Sequence, residues 1–172
     1  MGRFVIEQLR REGVNVSNIK TDKDRLTALV LLGIKSQDQF PLIFFRENCA
    51  DMALCEDDIE EDFIKISKSV LVTGTHFSTK TVSDASFKAM KIAKKFNKEV
   101  ILDIDYRPNL WEMGKHNEGE SRFKENLSVT NHIQNILSYC TLIVGTEEEW
   151  NIAGGQNAVS YTHLTLPTIL PV

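Results

Sequence analysis

The sequence predicts an α/β fold in which helices flank a parallel sheet. Three apolar runs of strand length, SVLVTG (69–74), EVILDID (99–105) and TLIVGT (141–146), are separated by segments of helical periodicity. Continuous apolar strands that alternate with amphipathic helices are typical of a parallel sheet covered on both faces. A smaller β unit is expected to precede this sheet.

Helices are predicted wherever apolar residues recur on one stripe. Residues 3–12 form a short amphipathic segment that Gly13 would end, and DMALCEDDIEEDFIKIS (51–67) contains a short helix with an acidic start. The stripes are Phe4, Val5 and Leu9 in the first helix, Val82, Ala85, Ala89, Ile92, Ala93 and Phe96 between the first two sheet strands, and Val129, Ile133, Ile136 and Leu137 between the last two.

The small β unit is predicted from two runs in the first 48 residues. LTALVLLGI (26–34) and FPLIFFR (40–46) are joined by the polar segment KSQDQ, which suits a hairpin or two neighbouring strands. We expect these lid strands to occupy about residues 26–48.

Composition favours a small-molecule ligand. The 172 residues are 42% hydrophobic and 26% charged, and the net charge of −4 is spread along the chain. Because Lys and Arg form no block, neither a nucleic acid nor a membrane surface is an expected partner. The apolar runs are shorter than a bilayer span and the first residues carry charges, so we expect a cytoplasmic protein.

Cysteines and histidines predict no metal site. Cys49, Cys55 and Cys140 are odd in number and lack zinc-type spacing, so we expect reduced, structural thiols. The four histidines, to which we assign no chemistry, are His76, His116, His132 and His163.

The segment DIDYRPNLW (103–111) places three charged residues where a buried strand ends. In an extended chain Asp103, Asp105 and Arg107 share one side. Ligands of open α/β sheets bind at the carboxyl ends of the strands, so these residues are candidate ligand contacts. The alternative is an Arg–Asp ion pair that closes the strand end.

Two further segments point to the same edge. In VGTEEEW (144–150), Thr146 and Glu149 form a capping box, whereas Glu148 could hold the hydrated Mg²⁺ that accompanies phosphates. Acids in a first helical turn are also stabilising without any ligand. In FFRENCADMAL (44–54), Arg46 and Asn48 end the second lid strand, and Arg46 could reach the cleft of Arg107 or be a solvated side chain.

Together, DIDYRPNLW, FFRENCADMAL and VGTEEEW resemble the PfkB-type (ribokinase-like) carbohydrate kinases, over roughly residues 1–157. The family's Asp-x-Asn-x-Arg motif matches Asp103, Asp105 and Arg107, with Asp in place of Asn. Its Asn-x-x-Glu motif matches Gly145 to Glu148, with Gly in place of Asn. Within the family, the resemblance is to the subgroup that phosphorylates the sugar acid 5-dehydro-2-deoxygluconate in inositol catabolism.

The resemblance implies a ribokinase-like sheet with a β lid, and ATP and Mg²⁺ as cofactors. Arg107 would neutralise the substrate or phosphate anion, and Arg46 and Asn48 would contact the sugar acid under the lid. Asp103 and Asp105 would orient Arg107 and the sugar. Glu148 would position Mg²⁺ through water, with Thr146 beside the nucleotide.

The resemblance also implies that part of the kinase lies outside this sequence. MGRFVIEQLRREGV (1–14) resembles a stretch inside the family's domain, and the family's Gly-Ala-Gly-Asp motif, which carries the catalytic base, does not occur. We expect residues 1–158 to be a partial kinase domain that is inactive alone, from a parent that forms a homo-oligomer. VSYTHLTLPTILPV (159–172) resembles a translated sequencing adapter and is expected to be a non-native tail.

Four alternatives remain open at this stage. One is another PfkB sugar kinase, of the 2-keto-3-deoxygluconokinase or fructokinase type. A second is a haloacid-dehalogenase-type phosphatase, in which Asp103 would attack phosphorus and Asp105 would act as acid and base. A nicotinamide-binding Rossmann domain is weaker, since no strand is followed by Gly-x-Gly-x-x-Gly. The last is a non-catalytic, truncated α/β module that binds a partner or associates through exposed strands.

Overall fold

A computed structural model describes residues 1–34, 42–111 and 126–155. Residues 35–39, His116, His163 and the expected tail at 159–172 lie outside the described residues. The elements, in chain order, are α1 (Gly2–Arg11), β1 (Leu29–Leu32), β2 (Leu42–Phe45), α2 (Glu61–Ile66), β3 (Ser69–Thr73), α3 (Lys80–Lys95), β4 (Glu99–Asp103), α4 (Leu127–Leu137), β5 (Leu142–Val144) and α5 (Glu147–Gly154).

The main sheet has three parallel strands in the order β3-β4-β5. Val72 pairs with Leu102, which pairs with Ile143, so these side chains share one face. Each pair of neighbouring strands is joined through a helix, as parallel pairing requires. The predicted α/β fold with a parallel sheet is confirmed.

The core lies on one face of this sheet. Val100, Leu102 and Ile143 are almost fully buried in a single apolar cluster with the predicted stripes of α3 and α4. On the opposite face, Leu71 keeps 63% of its surface exposed. The expectation of cover on both faces is therefore wrong for the described residues, because both helices contribute to the same cluster.

The predicted lid strands are an antiparallel pair, with Leu29 opposite Phe45. All four residues of β1 are exposed, and so are Ile43 and Phe45 in β2. The loop that follows β2 contains a 3₁₀ turn, Ala50–Ala53, which packs against α3. The lid is thus tied to the core by the loop after its second strand.

The first helix is present but buries little. It spans Gly2–Arg11 and buries no residue, and Phe4 and Val5 of its predicted stripe are exposed. Gly13 follows with φ = 80°, a left-handed conformation that favours glycine after a helix. Among the described residues, no helix has the length and apolarity to span a bilayer.

Segments that follow two neighbouring strands, β3 and β5, lie against one residue, Ile104, which follows β4 and is 1% exposed. A Cβ atom at Gly74 would lie 1.9 Å from the Ile104 carbonyl oxygen, and one at Gly145 would lie 2.8 Å from Ile104 Cδ1. Both contacts are shorter than real Cβ contacts. Two glycines therefore let the neighbouring chains close on Ile104 at the carboxyl edge of the sheet.

Candidate active site

The three charged residues after β4 lie as the alternation predicts. Ile104 and Tyr106 are buried, whereas Asp103, Asp105 and Arg107 are half-buried. Arg107 Nη2 donates to Asp105 Oδ1 at 2.9 Å, and each side chain keeps about a quarter of its surface exposed (28% and 27%). The ion pair raised as the alternative is therefore present, beside a third charge, Asp103.

Asp105 adopts φ = 30°, a conformation in which Asn and Asp are the most frequent non-glycine residues. The backbone conformation at this position therefore accepts either Asn or Asp, which is consistent with Asp in place of the Asn of the motif. The turn brings the Asp105 N–H onto the Asp103 carboxylate. Burial raises the pKa of the Asp103 carboxyl above its ordinary value, the Asp105 charge raises it further, and the Asp105 N–H and Arg107 oppose both effects.

Arg46 follows β2 and is held by Asp51. Its Nε and Nη2 atoms donate to the same oxygen, Asp51 Oδ2, at 2.8 and 2.7 Å, and the side chain is only 16% exposed. Nη1 has no hydrogen-bond partner among the residues that the structure describes. A buried guanidinium with free N–H groups is suited to bind an anion.

His76, to which sequence reasoning gave no role, is within electrostatic range of members of both ion pairs. It is the third residue after β3, and its two neighbours in sequence, Thr75 and Phe77, are buried. Burial lowers the pKa of its imidazole; the Arg46 charge lowers it further, and Asp51 and Asp105 raise it. The ring is therefore within electrostatic range of both pairs and neutral at pH 7.

The same positional rule could have found His76. Side chains after parallel strands gather at one edge of the sheet, and His76 is the third residue after β3. Applying that rule to every strand, instead of searching for histidine pairs, would have included it. Six residues are linked by these two ion pairs and by electrostatic effects on His76 and Asp103, and we name them the strand-end cluster: Arg46, Asp51, His76, Asp103, Asp105 and Arg107.

Asn48 is less clearly placed for a ligand. Its side chain is exposed, and its Oδ1 accepts a hydrogen bond of 3.0 Å from Arg25 Nε. Its backbone has φ = 50°, which Asn tolerates well. In this structure Asn48 therefore ties the lid loop to the preceding segment, where Asp22 also binds Arg25 at 2.8 Å.

The corner between β5 and α5 contains the predicted capping box. The Glu149 N–H donates to the Thr146 hydroxyl at 3.4 Å, and Glu149 Oε2 accepts the Thr146 N–H at 2.9 Å. The second Glu149 oxygen accepts the backbone N–H of Tyr106 at 3.1 Å, so this cap also fixes the segment after β4. Glu148 and Thr146 are exposed.

The described residues contain no preformed metal site, that is, no group of three or more His, Cys, Asp or Glu side chains that could hold an ion. This donor set fits Mg²⁺ bound mainly by water and phosphate, which needs only one or two carboxylates. The three cysteines are free, as predicted. Burial raises the pKa of the Cys140 thiol to about 12, which makes it unreactive.

Comparison with known proteins identifies the family. The model of the pfkB family of carbohydrate kinases matches residues 1–165. The chain belongs to the pfkB family of carbohydrate kinases. This membership decides against the phosphatase and nicotinamide-binding alternatives. The match extends past Ala158 into the segment expected to be a non-native tail.

Curated relatives share about a third of their aligned residues with this pfkB-family chain. The 5-dehydro-2-deoxygluconokinase of Geobacillus kaustophilus is 32% identical over 153 residues, which are 88% of this chain and 42% of the relative. The 5-dehydro-2-deoxygluconokinase of Clostridium tetani is 30% identical over 155 residues, which are 90% and 42% of the two chains. The chain thus spans less than half the length of these relatives.

Solved structures confirm the ribokinase-like fold. The PfkB protein from Polaromonas sp. JS666 superposes with a TM-score of 0.80 at 20% identity, over 99% of this chain and 56% of that one. The fructokinase with bound ATP from Xylella fastidiosa gives a TM-score of 0.78 at 18% identity, over 100% and 51%. At these identities the likeness establishes the fold alone.

Proposed function

We propose that this chain is part of an ATP-dependent sugar kinase that phosphorylates the primary hydroxyl of 5-dehydro-2-deoxygluconate. One observation carries the proposal: two Arg–Asp ion pairs, one from the loop after the second lid strand and one from the segment after β4, are within electrostatic range of the same side chain, His76. Family membership and the names of the relatives support the same reaction.

Phosphoryl transfer needs positioning and charge neutralisation more than covalent chemistry. Arg107 would neutralise the negative charge that spreads over the transferred group, while Asp103 and Asp105 would orient Arg107 and the sugar. Arg46 would bind the carboxylate of the sugar acid through Nη1, with its geometry fixed by Asp51. Asn48 would contact the sugar once Arg25 releases its side-chain oxygen.

The corner between β5 and α5 would serve the nucleotide. Mg²⁺, when bound, would neutralise part of the negative charge of the ATP phosphates. We propose that Glu148 holds its water shell and that Thr146 lies beside the nucleotide. Glu148 is exposed and so can accept from water, whereas both oxygens of Glu149 are occupied by backbone N–H groups.

The sequence contains no Gly-Ala-Gly-Asp segment, so no residue of it is proposed as the catalytic base. We expect the 172-residue chain to transfer no phosphate by itself. Activity is therefore to be measured on the protein encoded by the complete reading frame around this sequence.

Phosphoryl transfer from ATP to a panel of sugars tests the proposed function. The panel contains 5-dehydro-2-deoxygluconate, 2-keto-3-deoxygluconate and fructose, each compared by kcat/KM. We expect the highest value for 5-dehydro-2-deoxygluconate. A higher value for one of the others would leave a PfkB kinase of different specificity, and no transfer to any sugar would contradict the assignment.

The proposed Mg²⁺ role of Glu148 has a matched control in its neighbour. Glu148→Gln should raise the Mg²⁺ concentration needed for half-maximal rate several-fold, whereas Glu147→Gln, also an exposed acid in the first turn of α5, should not. Equal effects of the two variants would indicate that only helix-end charge matters at this corner.

A further inference from the structure

Two hydrogen bonds join the segment before β1 to the loop after β2. Arg25 Nε donates to Asn48 Oδ1 at 3.0 Å. The Ala50 N–H donates to the Leu26 carbonyl oxygen at 2.9 Å. Leu26 lies three residues before the start of β1, and Asn48 lies three residues after the end of β2. The base of the lid is therefore held once through a side chain and once through the backbone.

The loop after β2 does not depend on Arg25 for its shape. The Arg46–Asp51 ion pair joins its two ends at 2.7 Å, and the Cys49 N–H donates to the Arg46 carbonyl oxygen at 3.3 Å. Cys49 is only 7% exposed and so anchors the loop in the interior. Since none of these contacts involves Arg25, the Arg25–Asn48 bond is not needed to keep the loop folded.

The Arg25–Asn48 bond lies at the surface, where it can be broken at small cost. The Arg25 side chain is 41% exposed, and its Nη1 donates to Asp22 Oδ2 at 2.8 Å. Asn48 is also exposed, and its amide nitrogen has no hydrogen-bond partner among the residues that the structure describes. A hydrogen bond between exposed groups adds little net free energy, because water can replace either partner. The Asn48 side chain is therefore held, but reversibly.

The chemistry of Asn48 suits a hydroxyl group of a sugar. An amide side chain both accepts and donates hydrogen bonds, and so does a hydroxyl group. Within the described part of the chain, the side chain of Asn48 forms one hydrogen bond, to Arg25 in the segment before β1. To bind a sugar at the carboxyl edge of the sheet, the amide has to turn away from Arg25.

We propose that Arg25 is a positioning residue that controls sugar affinity through Asn48. In the free protein Arg25 holds the Asn48 side chain toward the segment before β1. Binding of the sugar acid breaks this bond, and the freed amide binds one of the hydroxyl groups. The affinity is then limited by the fraction of protein in which Asn48 is already free, since a minor binding-competent state raises the apparent Kd. This inference rests on the proposed function, which assigns Asn48 a contact with the sugar.

Arg25→Met tests the direction of the effect. It keeps an apolar stem but removes every donor, so that sugar binding no longer has to break a bond. We expect the full-length variant to bind 5-dehydro-2-deoxygluconate about three-fold to ten-fold more tightly than the wild type in calorimetry, as expected for one hydrogen bond. KM for the sugar should fall, while kcat and KM for ATP stay unchanged. A purely structural role of Arg25 would weaken sugar binding instead.

Two further variants serve as matched comparisons. Arg25→Lys retains a charged donor and should give a Kd close to that of the wild type. Lys23→Met removes an exposed cation two residues away and should leave the Kd unchanged. The Ala50 N–H should remain protected from hydrogen exchange in Arg25→Met, which shows that its bond to Leu26 persists and that the loop is in place.

Asn48→Ala removes the group that Arg25 holds. Alone it should weaken sugar binding, and the addition of Arg25→Met should have no further effect, because no amide is left to release. A gain from Arg25→Met that persists beside Asn48→Ala would overturn the inference, and so would weaker or unchanged binding by Arg25→Met itself.

The inference and the proposed function can fail separately. Tighter sugar binding by Arg25→Met, in a protein that transfers no phosphate, would support the role of Arg25 and overturn the proposed kinase activity alone. Phosphate transfer by a protein in which Arg25→Met gains no affinity would support the kinase activity and overturn the role of Arg25.

Discussion

Individual residues at the carboxyl edge of the sheet carry charges that the free protein tolerates at a cost. Asp103 is the clearest case, because burial and the nearby Asp105 raise its pKa. A folded-state pKa above the unfolded value means that the folded protein binds the proton more tightly. Ionisation of Asp103 therefore disfavours folding as pH rises from about 3.8 through the folded pKa.

Asp103→Asn should increase stability at neutral pH. The amide oxygen can still accept the Asp105 N–H, while the ionisation penalty disappears. In urea denaturation we expect a higher midpoint than wild type at pH 7 and a vanishing difference near pH 4. Asp24→Asn, which removes an exposed acid, is the control and should show no such pH dependence. A variant less stable than wild type at pH 7 would contradict the prediction.

The pKa of His76 should report on the charges around it. Arg46 lowers this pKa, and Asp51 and Asp105 raise it. We therefore expect Arg46→Gln to move the imidazole pKa upward and Asp51→Asn to move it downward, as followed by NMR titration of the ring. An unchanged titration in both variants would show that His76 is not within electrostatic range of Arg46 and Asp51.

At the scale of elements, local sequence patterns were sufficient to predict where the main helices and strands lie. The stripes of α3 and α4 and the three apolar runs predicted helices and strands because burial on one face imposes a period along the chain. The capping box was predicted because its partners are three residues apart. The uncovered face of the sheet was not predicted, since apolar runs do not show on which side each helix packs.

The two glycines beside Ile104 offer a matched pair of substitutions. Gly74→Ala places a methyl group on a backbone oxygen and should cost about 3 kcal/mol of unfolding free energy. Gly145→Ala meets side-chain atoms, chiefly Ile104 Cδ1 at 2.8 Å and also the Glu149 carboxylate at 3.3 Å, and should cost about 1–2 kcal/mol. Neither clash could be predicted from sequence, because each joins separate strands.

A second substitution, Ile104→Val, distinguishes the clash in Gly74→Ala from the clash in Gly145→Ala. It removes Cδ1, so it should rescue much of the loss in Gly145→Ala but none of the loss in Gly74→Ala. Thermal denaturation of the two double variants measures the coupling directly. Similar rescue of both glycine variants would show that the Ile104 carbonyl is not the atom that Gly74 approaches.

At the scale of the whole molecule, the fold and the family follow from the sequence, whereas the composition of the site follows only in part. Asp103, Asp105, Arg107 and Arg46 were predicted because each closes a strand. His76 and the role of Asp51 required the tertiary structure, since nothing local links residue 76 to residues 46 and 51. A search restricted to short motifs therefore found both members of the Arg107–Asp105 pair but only Arg46 of the Arg46–Asp51 pair.

The central claim is that the strand-end cluster binds the anionic groups of the reaction. The most direct measurement is kcat/KM for phosphoryl transfer to 5-dehydro-2-deoxygluconate by the full-length protein, in the wild type, Arg107→Gln and the exposed control Arg11→Gln. We predict a loss of about 100-fold or more for Arg107→Gln, as for removal of a transition-state donor, and an unchanged value for the control. Wild-type kcat/KM in Arg107→Gln would contradict the account.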